Sequence, residues 1–189
     1  MNFIRNRNFR AGPQTSLEGF ICPQNSDKQQ KIKVFGRSGG VMLGKNVIIR
    51  PSTGIGVYSS NSKIIFGDNV EIGKQSSIAA INEVIFEDGV LTGPHVFISD
   101  HNHEYRNIKM PIYKQGITYA ENGKVIIGEG SWLGTNVVVV GNVRIGKHCV
   151  IGANSVVTKD IPDYSVAAGI PAKVIKKYDF EKDEWVKVK

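Results

Sequence analysis

An aliphatic residue returns at every sixth position along much of the chain. The segments LGKNVI (43–48), FGDNVE (66–71), IGKQSS (72–77), FEDGVL (86–91) and TGPHVF (92–97) align with one another. So do IGEGSW (127–132), LGTNVV (133–138), VVGNVR (139–144), IGKHCV (145–150), IGANSV (151–156) and VTKDIP (157–162). The first position is aliphatic or Phe except at Thr92, the second is often Gly, and the fifth is Val, Ser, Cys149 or Ile161. An amphipathic helix repeats its apolar face at three and four residues, so a period of six excludes it. The pattern predicts a parallel β-helix in which each hexad forms one short side of a coil. The first residue then points inward, the fifth fills the interior with a smaller side chain, and Gly turns the corner. Coils stack about 4.8 Å apart through backbone hydrogen bonds, and the stack itself is the core. Cys149 at a fifth position reads as core filling ahead of a reactive thiol.

The spacing also locates the interruptions. Ile127 to Ile145 is 18 residues, three hexads to a coil, whereas Phe66 to Phe86 is 20 and Phe86 to Ile127 is 41. The last interval holds one coil and an excursion of roughly two dozen residues, and long loops in compact domains are often functional. The expected organisation is an irregular N-terminal cover over 1–40 and a repeat domain over 41–175 with its excursion at 99–124. A short charged tail of undefined form follows at 176–189.

Composition adds modest limits. Val, Ile and Gly dominate, which favours β structure. The net charge of +7 and pI near 9.4 suit an anionic partner without choosing among a phosphate-bearing cofactor, nucleic acid and a membrane. Few aromatics and scattered lysines argue against nucleic acid. The opening MNFIRNRNFRAG has no apolar targeting core and no apolar run is long enough for a membrane span, so a cytoplasmic protein is expected. Two cysteines, Cys22 and Cys149, do not make a disulfide framework.

The excursion opens with FISDHNHEYRN (97–107), which places His101 and His103 behind Asp100 and ahead of Glu104. Such residues are either ordinary surface-loop histidines or an acid–base site. An imidazole suits proton removal near neutrality if a carbonyl or carboxylate orients its other nitrogen, and Asp100 and Glu104 are both near enough in sequence. His95 and His148 occupy the fourth hexad position, where Asn46, Asn69, Asn136, Asn142 and Asn154 also stand, and read as outward corner residues.

The stretch VIIGEGSWLGTNVVVVGNVRIGKHCVIGANSVVTKDIPDYSVAAGIPAKVIK (125–176) resembles the hexapeptide-repeat acyltransferases. Its nearest likeness is to the maltose, galactoside, nodulation-factor and polysaccharide O-acetyltransferases. The likeness is dense over about 64–176, and its specific part is GANSVVTKDIP…AGIPAKVI. The resemblance implies an all-β fold, a left-handed parallel β-helix, against the right-handed rule for ordinary parallel crossovers. It also implies a homotrimer with acetyl-CoA as co-substrate between neighbouring prisms and no metal. The histidine of the excursion that serves as base in that family corresponds to His103, leaving His101 on the acceptor side. Thr135 is then expected beside the pantetheine and Trp132 near the thioester. Ala153 offers backbone, with Thr158, Lys159, Lys173 and Lys176 towards the phosphates. The polar residues that galactoside- and maltose-type enzymes use for the acceptor correspond to Gly73 and Ile81, which cannot do that work. Asn82 is the nearby polar candidate.

The leading expectation is therefore O-acetylation of a carbohydrate hydroxyl, on a cell-surface polysaccharide or its precursor. An antibiotic O-acetyltransferase and a non-catalytic trimeric scaffold are the alternatives. A zinc enzyme of the gamma-class carbonic anhydrase kind shares the prism, but His95, His101 and His103 do not match its histidine spacing.

Overall fold

The structure, a computed structural model, describes residues 9–11, 16–17, 33–35 and 40–188. It is the left-handed parallel β-helix expected, with three sheets as its faces. The first face stacks Gly40–Leu43, Lys63–Phe66, Glu83–Phe86, Lys124–Ile127 and Val143–Ile145. The second stacks Ile48–Ile49, Glu71–Ile72, Leu91–Thr92, Trp132–Leu133, Val150–Ile151 and Ser165–Gly169. The third stacks Gly54–Val57, Ser77–Ala80, Phe97–Ser99, Val138–Val140 and Val156–Val157. Each coil visits the faces in that order. The N-terminal cover is largely outside the described residues. Within it, Phe9–Ala11, Ser16–Leu17 and Lys33–Phe35 pair in parallel with the first coil, one on each face. Backbone pairing thus extends the stack into a stretch with no hexad signature.

Register places like residues above one another inside. Leu43, Phe66, Phe86, Ile127 and Ile145 form one interior column. Within it the rings of Phe66 and Phe86 stack at 4.9 Å between centroids and 5° between planes. The fifth positions are buried from Val47 to Ile161, as the pattern requires. Where they are serines the hydroxyl is used: Ser76 donates to the Gly73 carbonyl at 2.7 Å and Ser131 to that of Gly146 at 2.8 Å. Burial pushes the Cys149 thiol pKa up, which keeps it an inert protonated filler.

The corner is not turned by the second-position glycine. It is turned by the fourth residue, which sits in the left-handed region at Asn46 (φ 54°), Asn69 (59°), Gln75 (57°), His95 (61°), Asn136 (58°), His148 (49°) and Asn154 (60°). Asn visits that region more readily than most side chains, which accounts for its recurrence there. In VVGNVR the left-handed residue is Gly141, one place before Asn142. The second-position glycine answers a different need, close approach of successive coils. A Cβ on Gly73 would lie 2.1 Å from the Gly93 carbonyl oxygen, and one on Gly128 would lie 2.4 Å from the Gly146 carbonyl carbon.

The C-terminal segment is ordered. Ala172–Asp179 pairs antiparallel with Ser165–Gly169, and Glu184–Lys187 pairs antiparallel with it in turn. A strand therefore runs across the boundary expected at 175/176. Its inward-facing Ala172 and Val174 pack on the core, which is what recruits it.

Gly73→Ala should destabilise the protein by about 3 kcal/mol, because the clash is with backbone that cannot yield. Gly54→Ala, whose Cβ would meet nothing within 4 Å, should be neutral or slightly stabilising. Denaturant titration of both variants checks this; equal stabilities would dismiss close approach as the reason for the glycine.

Candidate active site

The excursion leaves the end of Phe97–Ser99, at the edge between the third and first faces. His101–His103 pairs antiparallel with Ile117–Tyr119, setting His101 opposite Tyr119 and His103 opposite Ile117. The histidines therefore stand on one arm of a hairpin that projects from the prism. Its far end contains the short turn of 3-10 helix Ile112–Lys114. There the Gln115 amide ties the loop together by donating to the carbonyls of Asn107 and Met110, both at 2.8 Å.

Asp100 anchors the base of the hairpin. Its buried carboxylate accepts the amides of Ile81 (2.9 Å), Asn82 (2.7 Å) and Glu83 (2.8 Å), the corner of the preceding coil. His101 Nδ1 lies 2.9 Å from the same carboxylate. An ionised carboxylate can only accept, so the imidazole donates there. The rings of Tyr58 and His101 pack in a T shape, 5.7 Å between centroids. Neither acid orients His103: Asp100 serves His101, and Glu104 is taken by Arg106 in a two-pronged ion pair, one prong being Nε to Oε1 at 2.8 Å. That guanidinium holds the Glu104 pKa down at about 2, from an ordinary 4.5.

His103 is exposed and lines an open groove of about 810 Å³ with Asn102, Tyr105, Arg106, Ile112 and Thr118. Among these, Asn102, Tyr105, Arg106, Ile112 and Thr118 were not anticipated from the sequence, although Glu104-x-Arg106 is a readable ion-pair spacing. Asn82 lies elsewhere. It lines a smaller depression with Asn61, Lys63, Glu83, Asn122, Gly123 and Lys124, and donates to the Ala120 carbonyl at 3.0 Å.

The other candidate residues fall into two groups. Thr158 and Lys159 follow Val156–Val157 and so share the edge from which the hairpin springs. Trp132, half exposed, faces outward from the second face in register with Leu91 and Val150. Thr135 and Ala153 lie one above the other at the next edge, where Asn154 N–H donates to the Thr135 carbonyl at 2.9 Å. Lys173 and Lys176 are three apart, which in a regular strand would put them on opposite sides. A register shift between Val166 and Ala167 sets Lys173 opposite Ala168 and Lys176 opposite Val166, so both share the outer side with Trp132's column. Lys187 joins them, paired with Lys176. In a single chain, then, His103 and Trp132 are on different sides of the prism. His95 turns the edge between the second and third faces, away from His101 and His103 of the same chain.

The sequence profile of the bacterial transferase hexapeptide (six repeats) family matches residues 124–159. The WbbJ protein of Escherichia coli K12, named for lipopolysaccharide biosynthesis O-acetyl transfer, is 41% identical over 128 residues, 66% of this chain and 65% of WbbJ. The crystal structure of a maltose O-acetyltransferase from Clostridium difficile 630 is 30% identical, with 76% of this chain and 68% of that one superposed at a TM-score of 0.52. A point mutant of AntD, an N-acyltransferase from Bacillus cereus crystallised with dTDP and Coenzyme A, shares the fold at a TM-score of 0.71 over 93% of this chain and 87% of that one, with 17% identity. This chain belongs to the hexapeptide-repeat acetyltransferase family. Among the described residues no helix is long and apolar enough to cross a membrane.

The Glu104 carboxyl should titrate near pH 2 when followed by NMR, and Arg106→Ala should return it towards 4.5. A pKa lower in the folded state makes the pair's contribution full above the unfolded value and lost as pH falls through about 2. A wild-type midpoint at 4.5 would mean the ion pair does not persist in solution.

Proposed function

We propose that the protein transfers an acetyl group from acetyl-CoA to a carbohydrate hydroxyl of a cell-surface polysaccharide or its precursor, with His103 as general base. The observation that carries this is the placement of His103: its imidazole opens into the groove, whereas His101 is committed to Asp100 and packed against Tyr58. In the proposed step the acceptor hydroxyl gives its proton to His103 as its oxygen attacks the thioester carbonyl. The imidazolium then returns that proton to the departing thiolate. His101 acts indirectly, helping Asp100 fix the strand that carries His103.

The co-substrate's expected contacts are Trp132, Thr135, Ala153, Lys173 and Lys176 on one side of the prism and Thr158 and Lys159 on the other. No single chain gathers them with His103. A three-fold ring that sets the hairpin edge of one prism against the second face of the next would unite them, with the lysine stripe meeting the phosphates. A trimer with three shared sites follows from this reading.

His103→Ala should lower the transfer rate 10²- to 10⁴-fold, roughly 3–5 kcal/mol of barrier, without loss of fold. His101→Ala should cost less. A dead His101 variant beside an active His103 variant would reverse the assignment. Mixing offers a separate check on the shared site. His103→Ala and Trp132→Ala chains, each weak alone, should regain activity when dissociated and reassembled together, because mixed trimers rebuild some intact sites. No recovery in verified mixed trimers would place both residues in the same chain's site.

A further inference from the structure

The smaller depression at the edge between the third and first faces has no part in the reaction described above. Its volume is about 280 Å³, just below the roughly 300–1,000 Å³ usual for small-ligand sites. Three successive coils build it, each contributing an asparagine: Asn61, Asn82 and Asn122. The register stacks Lys63, Glu83 and Lys124 in one column. Glu83 is engaged by Lys124 at 2.9 Å. Among the described residues Lys63 has no ion-pair partner, and it is exposed in the strand Lys63–Phe66. The depression therefore offers carboxamides and one uncommitted ammonium group, with a neutralised ion pair beside them.

Carboxamides donate and accept together, as sugar hydroxyls do, and an unpaired ammonium selects for negative charge. Lys63 and Lys124 against Glu83 leave the depression one net positive charge, which a single carboxylate balances and a phosphate dianion exceeds. The depression is also tied to the catalytic hairpin. The backbone amides of Asn82 and Glu83 are two of those held by Asp100, and Asn82 reaches across to Ala120 on the returning arm. The two openings share the hairpin: His103 and Thr118 on its arms line one, and Asn82, tied to Ala120 on the returning arm, lines the other.

We propose that this depression is a second acceptor subsite that takes a carboxylate-bearing sugar residue, through Lys63 with Asn61 and Asn122, so that the acceptor is an acidic glycan. The inference rests on the glycan-acetylation reading but concerns binding, which can be measured without transfer. The probes are a glucuronate-containing oligosaccharide and the same oligosaccharide with its carboxyl groups reduced, titrated by NMR into the 189-residue chain without acetyl-CoA. The acidic form should bind about five-fold more tightly at low salt, as one exposed charge contact allows, and the preference should shrink as salt rises. Lys63→Gln should abolish the preference, and Lys63→Arg should keep most of it. Asn61→Ala should weaken both probes together, with thermal melts confirming that the fold is unchanged. Equal binding of the two probes, or a preference that survives in Lys63→Gln, would overturn the proposal. A preference found in a protein that transfers no acetyl group would keep this site and remove the catalytic reading instead.

Discussion

Everything in this molecule depends on the distance between one coil and the next. Backbone groups of every coil find their partners on the coils above and below, so the spacing is set by hydrogen bonding and cannot relax locally. Three consequences follow along the chain. Where the second hexad position is Gly73 or Gly128 it must stay small, because the neighbouring backbone lies within 3 Å of any added carbon. The corner residue, usually the fourth, must accept a left-handed conformation. The first and fifth face a narrow interior where each level stacks on the next in register, as the rings of Phe66 and Phe86 do.

That rigidity is what makes a hairpin on one edge a useful place for chemistry. The excursion brings little apolar burial of its own, and Ile108, Tyr113 and Tyr105 are all exposed. Its position is fixed instead by a few directional contacts at the base. Asp100 converts three amides of an adjacent corner into an anchor, and a fourth bond carries the constraint to His101. A buried carboxylate holding so many donors loses much if any partner is removed. The scaffold thus lends its precision to two residues of loop, and His103 stands two positions beyond them.

The period of six made the coils readable because burial and close approach repeat with it, and each repeat confirms the last. What the sequence concealed has physical reasons. Glycine at the second position and Asn at the fourth both signal a turn in ordinary loops, so the two roles could be exchanged: the sequence suggested that Gly bends the chain, while Asn46 and Asn69 do so. The C-terminal strand was hidden because Ala172–Asp179 pairs antiparallel, which breaks the hexad rhythm. Asp100 could not be assigned to His101 in advance, since the deciding amides at Ile81, Asn82 and Glu83 are distant in sequence. The common side of Lys173 and Lys176 depends on a bulge that neither residue announces.

A stack of parallel coils has no intrinsic reason to stop, since its last turn presents the same unpaired edge as every turn before it. The reversal at Gly169–Ala172 supplies an end. Once Ala172–Asp179 runs against the preceding strand, a further coil of the repeat cannot continue in register on that face. The outermost strand, Glu184–Lys187, shows solvent a short edge bearing charged residues. Such an edge is a poor template for another chain. The same hairpin that gathers the lysines therefore acts as a terminator, separating a protein of defined length from a filament.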